Sequence, residues 1–320
     1  MVELRKHQID AINGINKAFE ENDKCLAKLF CACGKSRIAF SKILDVDFSV
    51  LVFPSIALVT QFNRDYLLNP KWEDLTDKYK IMSICSKDEL KDDLEHNVIY
   101  TTDNDKISKF LEKQEKQEKQ IITVTYQSLQ TFITSLKEVS VLVELMIFDE
   151  AHHIIGNKCQ KIVFDKYLSN YVDKMLFLTA TPKNDNGIIM LDRDNPENSN
   201  CGPLAFEYTH MDAINEEVPI CKDFEICIDL YTKDTKDNLY QAIARSSYNT
   251  DNYKILTFHS MSEGERDKRT NVSQFVKEKD KIIEEFNNVK ENEFPDKEDK
   301  KVIIKGITAS TKDRENIRFI

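Results

Sequence analysis

Two short strings carry side chains suited to handling a phosphoanhydride. The first is Ala32-Cys33-Gly34-Lys35-Ser36. It follows an apolar run and opens a helical pattern, the setting that a phosphate-binding loop needs. Amides at a helix N-terminus, with the helix dipole behind them, favour an anion. In such a loop the backbone from Ala32 through Gly34 cradles phosphate oxygens. Lys35 reaches the β- and γ-phosphates, and the Ser36 hydroxyl reaches Mg²⁺. The loop pattern is incomplete, because Leu29 stands where the full pattern has its first glycine. The second string is Ile147-Phe148-Asp149-Glu150-Ala151-His152. An apolar strand there runs directly into two adjacent carboxylates. Asp149 is suited to a Mg²⁺ shell, and Glu150 to orienting and polarising an attacking water. Alone, the pair reads more readily as a strand ending in a solvated acidic turn. With a phosphate loop upstream, the two strings together point to nucleotide hydrolysis.

These residues need a scaffold that brings distant segments to one edge. The first 180 residues alternate short runs rich in Val, Ile and Phe with longer helical patterns. The runs predict strands over 26–30, 49–53, 80–84, 97–100, 121–125, 142–148 and 175–178. Several are apolar nearly throughout, as in a parallel sheet buried on both faces. Helical patterns fall at 36–44, 56–67 and 127–136. The alternation predicts an α/β domain over residues 1–183, with ligands at the carboxyl ends of its strands. The string EKQEKQEKQ over 112–120 reads as a solvated helix extension or surface insertion. Residues 184–203 are rich in Asn, Asp, Pro and Gly, so 184–235 is expected to be a linker, with one strand at 224–230. From 236 the rhythm restarts. A helix to 248, a strand at 254–258, an amphipathic helix carrying Ile282, Ile283, Phe286 and Val289, and a strand at 301–307 predict a second, incomplete α/β domain over 236–320.

The chain has 320 residues, 41% hydrophobic and 31% charged, which is the composition of a foldable two-domain protein. Its 45 Lys and Arg against 55 Asp and Glu leave a net charge of −10. That excludes a wholly basic nucleic-acid coat protein, though a local basic groove is compatible with it. No run is long and apolar enough for a membrane span, and the first ten residues lack a signal core, so an intracellular, unsecreted protein is expected. The eight cysteines are irregularly spaced, without CxxC or HExxH, and read as reduced thiols rather than a disulfide frame or zinc site.

Further strings, in order, give the chain a resemblance. Asp149-Glu150-Ala151-His152 after a buried strand resembles motif II of superfamily-2 helicases and translocases. Leu4-Arg5-Lys6-His7-Gln8 looks like the adenine-reading segment of that family, with Gln8 as reader. Phe53-Pro54-Ser55-Ile56-Ala57-Leu58-Val59-Thr60-Gln61 is similar to motif Ia. Thr125-Tyr126-Gln127-Ser128-Leu129 resembles the segment that touches the nucleic-acid backbone. Leu178-Thr179-Ala180-Thr181-Pro182 looks like motif III, and Phe258-His259-Ser260 like motif IV. Gly306-Ile307-Thr308-Ala309-Ser310, followed by Arg314, resembles the segment before motif V. The DEAH and LTATP forms look closer to the restriction-enzyme-like DExH branch than to DEAD-box RNA helicases. The Lys- and Asn-rich style is reminiscent of large DNA viruses.

The resemblance implies two RecA-like domains of the P-loop NTPase type, the second partial, with ATP and Mg²⁺ in the cleft. It implies Lys35, Glu150 and His152 as catalytic, Gln8, Ala32, Cys33, Gly34, Lys35 and Ser36 as nucleotide-binding, and Ser36 and Asp149 as metal-holding. Thr179 and Thr181 would couple phosphate state to nucleic-acid grip. Pro54, Ser55, Gln61, Thr125, Gln127, Ser128, His259, Ser260 and Thr308 would hold the strand, with DNA favoured over RNA. Relatives usually have Gly where Ala32 stands and Thr or Ser where Cys33 stands. Motifs V and VI, the latter with an arginine finger worth roughly 10³–10⁵ in rate, should follow Arg314. They have no counterpart up to Ile320, so a fragment of a longer motor is expected. The expected function is an ATP-dependent helicase or translocase. The alternative is a nucleotide-gated clamp on nucleic acid with negligible turnover. A small-molecule kinase would leave the LTATP string unexplained.

Overall fold

Apolar runs become the strands of one sheet, and the patterns between them become the helices that cover it. The structure, a computed structural model, describes residues 4–72, 79–86, 98–112, 119–156, 158–185, 187–216, 236–249 and 279–298. The chain divides into two compact units, Met1–Lys222 and Asp223–Ile320.

The first unit holds β1 (Lys24–Leu29), β2 (Phe48–Phe53), β3 (Tyr79–Ile84), β4 (Ile99–Tyr100), β5 (Lys119–Thr125), β6 (Val143–Phe148) and β7 (Val172–Thr179). A small antiparallel pair, β8 (Asn184–Asp185) and β9 (Ile188–Ile189), precedes β10 (Leu204–Tyr208). Among the described residues, eight strands form one sheet in the order β10-β1-β7-β6-β2-β5-β3-β4. All its pairings are parallel. All six residues of β2 are buried, as a central strand covered on both faces requires.

Alternate strand residues feed two cores. On one face Val50 and Val52 pack with Ile107 of α4 (Asn104–Glu112) and with Phe132 and Leu136 of α5 (Leu129–Val139). On the other, Leu51 and Phe53 pack with Ile15 of α1 (Lys6–Glu21), Phe40 of α2 (Lys35–Ile43) and Phe62 of α3 (Ile56–Phe62). The sheet is thus doubly covered, an α/β domain of the RecA-like type. Short α6 (Gln160–Val163) lies between β6 and β7 in the chain.

Four features depart from the sequence reading. The helix expected over 56–67 changes pitch: α3 ends at Phe62, and Asn63–Leu67 is a π-turn. The widened turn seats Asn63 fully buried, with its Nδ2 donating to Ser83 Oγ at 2.8 Å. The Lys-Gln-rich repeat ends in a strand rather than on a solvated helix. Gln120 in β5 is fully buried and donates to the Phe110 carbonyl at 3.4 Å, while residues 113–118 lie outside the description. The segment expected as linker begins with structure of the first unit. Its β10 pairs with β1, followed by α7 (His210–Asn215) with its Thr209 cap, and 217–235 lie outside the described residues. The alternation of Leu204, Phe206 and Tyr208 is too short to stand out beside the turn-rich stretch before it. Finally, α1 was not anticipated as a helix. It packs on β10 at Gly14, where a Cβ would collide with the Ala205 carbonyl.

In the second unit α8 (Lys236–Asn249) and α9 (Lys279–Glu293) pack together. Tyr240, Ala244 and Tyr248 meet Ile282, Phe286 and Val289, with Ile243 and Phe294 packed against them, while Ile283, expected on the same apolar face, is only partly buried and is not in this cluster. Arg245 and Glu293 pair at 2.7 Å. The strands expected at 224–230, 254–258 and 301–307 lie outside the described residues. Among the described residues, no helix is long and apolar enough to cross a membrane.

Candidate nucleotide-binding site

Three neighbouring strands end at the same edge and deliver the polar residues. Strand β1 runs into the loop Phe30-Cys31-Ala32-Cys33-Gly34, β6 into Asp149 and Glu150, and β7 into Ala180 and Thr181. The order β1-β7-β6 places the three ends side by side. Register pairs Lys28 with Thr179, and Phe148 with Phe177.

The loop turns through two left-handed residues. Gly34 has φ 90° and caps α2, and Ala32 has φ 65°. For alanine that conformation costs on the order of 1 kcal/mol, so its surroundings must hold it. Cys33 is buried, and its thiol donates to the Phe30 carbonyl at 2.7 Å. Burial pushes that thiol up to about 11, so it stays protonated and packs as a small polar-edged residue. The Cys33 carbonyl accepts from His7 Nε2 at 2.8 Å and from Gln8 Nε2 at 3.2 Å. The Gln8 Oε1 accepts from the Arg5 amide at 3.0 Å. Both ends of the Gln8 amide are therefore engaged by the chain itself.

Lys35 is the first residue of α2, and its side chain is buried. Its Nζ lies 3.0 Å from Glu150 Oε1. Burial opposes the lysine's charge, but the hydrogen bond and negative charge of Glu150 outweigh it and hold Lys35 above its ordinary value. Glu150 is itself left-handed, with φ 47°. Its other oxygen lies 3.4 Å from His152 Nδ1, and the same nitrogen is 3.0 Å from Thr179 Oγ1. Thr179 Oγ1 also accepts from the Thr181 amide at 3.2 Å. Burial, then the neighbouring His153, hold His152 below the ordinary imidazole value. One polar chain thus runs Lys35–Glu150–His152–Thr179–Thr181 across the three strand ends.

Asp149 is not in that chain. Its amide donates to the Val52 carbonyl at 2.9 Å and its carbonyl accepts from the Tyr126 hydroxyl at 2.9 Å, so its backbone is clamped. Its side chain is buried, and Oδ1 has no hydrogen-bond partner among the described residues. Burial, with the Glu150 charge beside it, pushes the carboxyl up to about 6. A buried carboxylate oxygen left unpaired is costly unless a cation serves it. Ser36, half-buried on the first turn of α2, is the other oxygen donor expected there.

Beside the loop lies a cavity of about 310 Å³ lined by Arg5, Gln8, Ala32, Cys33, Gly34, Arg37 and Tyr66. Its size is at the lower end for a small-molecule site. The Arg37 guanidinium lies 4.4 Å from the Trp72 ring centre, a cation–π contact that fixes it. The sequence reading missed Arg37, Tyr66 and His7. An arginine directly after Lys35-Ser36 was the available signal for the first, and the place of His7 beside Gln8 in the Leu4–Gln8 string for the last; nothing in the spacing marked Tyr66.

The residues expected to hold a nucleic-acid strand fall into three groups. Pro54, Ser55 and Gln61 follow β2, and Gln127 and Ser128 follow its neighbour β5, whose Thr125 pairs with Phe53. Ser55 caps α3 by accepting from the Leu58 amide at 3.4 Å, and Ser55, Gln61 and Gln127 are exposed. Thr125 is buried, and its hydroxyl bonds Ser128 Oγ at 3.2 Å, so it fixes the turn from beneath. His259, Ser260 and Thr308, with Arg314, lie outside the described residues.

The family profile "Type III restriction enzyme, res subunit" matches residues 1–184. The probable helicase A859L of African swine fever virus (isolate Pig/Kenya/KEN-50/1950) is 26% identical over 230 residues, which are 70% of this chain and 24% of the viral protein. The corresponding protein of isolate Tick/Malawi/Lil 20-1/1983 is 27% identical over 231 residues, again 70% and 24%. The chain therefore spans about a quarter of the length of the curated relatives it matches. Among solved structures, the Type ISP restriction-modification enzyme LlaBIII bound to DNA aligns with a TM-score of 0.57 at 19% identity, over 88% of this chain and 22% of that one. A nuclease-deletion mutant of LlaGI, in complex with a DNA substrate mimic, aligns at 0.53 and 22% identity, over 78% and 22%. These likenesses are to the fold.

Proposed function

Since the chain belongs to the family of the type III restriction enzyme res subunit, a branch of the superfamily-2 helicase-like ATPases, we propose that it is the ATP-binding part of a motor that couples ATP hydrolysis to movement on DNA. The observation that carries this is the polar chain from Lys35 through Glu150 and His152 to Thr179, beside the buried, unpartnered Oδ1 of Asp149.

The proposed roles follow from that geometry. The triphosphate draws Lys35 away from Glu150, since a polyanion competes for the same ammonium. The phosphate loop and the start of α2 then cradle its oxygens. Glu150, freed from the lysine, orients a water and accepts its proton as the γ-phosphoryl group departs. His152 follows the Glu150 carboxylate through Nδ1 and passes the change to Thr179 and Thr181. The base side of the nucleotide occupies the cavity of Arg5, Gln8, Arg37 and Tyr66. Asp149 and Ser36 fit Mg²⁺, since the buried, unpaired Oδ1 is the kind of atom a hard cation serves. When bound, that ion supplies charge neutralisation of the β- and γ-phosphate oxygens.

The strand would run over the edge carrying Ser55, Gln61, Gln127 and Ser128. Backbone contacts there position without reading bases, which suits an acidic protein with local contacts. Residues 1–183 would be the first RecA-like domain and 236–320 would belong to a second, in an intracellular protein. A second reading, a nucleotide-gated clamp with little turnover, is favoured by the Lys35–Glu150 pair itself, which ties up the water-orienting carboxylate. ATPase assays with and without single-stranded DNA decide between them. A motor hydrolyses ATP faster with DNA; a clamp binds DNA in an ATP-dependent way with flat, near-zero turnover.

A further inference from the structure

The Cys33 carbonyl sits in the middle of the phosphate loop, and His7 Nε2 approaches it to 2.8 Å. A carbonyl oxygen can only accept, so His7 carries a proton on Nε2 and donates it there. His7 does not line the cavity beside the loop. Its side chain is 3% exposed and cannot meet a ligand directly. It is held from behind. Its ring stacks on Tyr208, with centroids 4.5 Å apart and planes at 18°. Its Nδ1 lies 3.9 Å from Glu216 Oε1, and the Tyr208 hydroxyl donates to that same oxygen at 3.0 Å. Tyr208 ends β10 and Glu216 follows α7, so a support far along the chain presses on the loop through one imidazole.

The loop needs such a hold. Ala32, the residue before Cys33, is left-handed without being glycine. Such a conformation persists only where its surroundings impose it. We propose that His7 is a positioning residue of the phosphate loop, locking the Cys33 carbonyl, and with it the turn at Ala32, against the support formed by Tyr208 and Glu216. The proposal rests on the reading of this loop as a triphosphate cradle. Its wider consequence is that displacement of residues 208–216, the last described stretch before the chain continues into the second unit, loosens the grip on nucleotide.

The test titrates a fluorescent ATP analogue into wild type, Lys35→Ala, His7→Phe, His7→Gln and Glu216→Ala. Thermal midpoints without nucleotide and amide exchange over residues 31–36 are measured on each. His7→Phe keeps a ring on Tyr208 but has no donor. Its affinity is expected to fall about fivefold to tenfold, the worth of one such hydrogen bond, with loop exchange raised and the unliganded midpoint near wild type. His7→Gln restores an N–H and is expected to recover affinity to within about twofold. Glu216→Ala, at a partly exposed position, should raise loop exchange. A folded His7→Phe with wild-type affinity and exchange overturns the proposal. Should His7→Phe not fold, unchanged loop exchange in Glu216→Ala overturns it. Unchanged affinity in Lys35→Ala would instead overturn the nucleotide reading, and this proposal with it.

Discussion

Asp149 titrates at about 6 in the folded chain, against an ordinary 3.8. Below the lower value both folded and unfolded chains hold the proton. Between the two the folded chain binds it more tightly, so the stabilising contribution is lost as pH rises and is gone above about 6. A shift of this size corresponds to roughly 3 kcal/mol. Asp149→Asn should therefore stabilise the metal-free protein by on the order of 2–3 kcal/mol at pH 7 and hardly at all at pH 4. Urea unfolding in chelator at the two pH values measures this, and equal effects at both would remove the buried-carboxylate reading. The same substitution should abolish Mg²⁺-dependent tightening of nucleotide binding. At this scale the sequence was informative where chemistry needs neighbours in the chain. Lys35, Ser36, Asp149 and Glu150 were legible because a loop after a strand exposes consecutive residues. The Glu150–His152–Thr179 contacts were not, because strand order decides which loops become neighbours. Thr125 was expected at a surface and lies beneath one, since its side chain turns toward Ser128.

At the scale of elements, apolar runs sufficed for the central strands, and every strand expected before residue 180 has a counterpart among the described residues. Buried strands read clearly because both faces select Val, Ile, Leu and Phe. The edge was harder: β10 is half-buried along most of its length and follows a turn-rich stretch, so its alternation was lost. The contact between α1 and β10 yields a prediction in which two effects oppose. Gly14→Ala gains about 1 kcal/mol of helix propensity. The added methyl, however, collides with the Ala205 carbonyl, which is backbone and yields little. Overpacking of this kind costs roughly 1–3 kcal/mol, so a net loss of about 1 kcal/mol is expected in urea unfolding. A stabilised variant would show that α1 does not sit on the strand so closely.

For the whole molecule, net charge and function must be reconciled. In the proposed function a chain of net charge −10 would hold DNA through a local track, for which the ends of β2 and β5 are the candidate. Few phosphate contacts imply a shallow salt dependence. The affinity for single-stranded DNA should fall with a log–log slope of roughly −0.7 per neutralised phosphate, hence about −2 if three phosphates are met. A slope several times steeper would point to a basic surface elsewhere. Substituting the exposed Gln61 and Gln127 together by Ala should weaken DNA binding several-fold while leaving ATP affinity unchanged, as filter binding and nucleotide titration would show.

In the proposed motor Lys35 and Glu150, 3.0 Å apart, hold each other until a triphosphate parts them. ATP affinity of Glu150→Gln, measured beside wild type and Lys35→Ala with a fluorescent analogue, tests this. Removing the carboxylate's charge frees Lys35 while leaving Asp149 intact. Glu150→Gln is therefore expected to bind ATP more tightly than wild type, by roughly twofold to fivefold for a partly exposed pair, and to hydrolyse none. Lys35→Ala should lose binding. Weaker or unchanged ATP affinity in Glu150→Gln, or turnover at the wild-type rate, would contradict the claim.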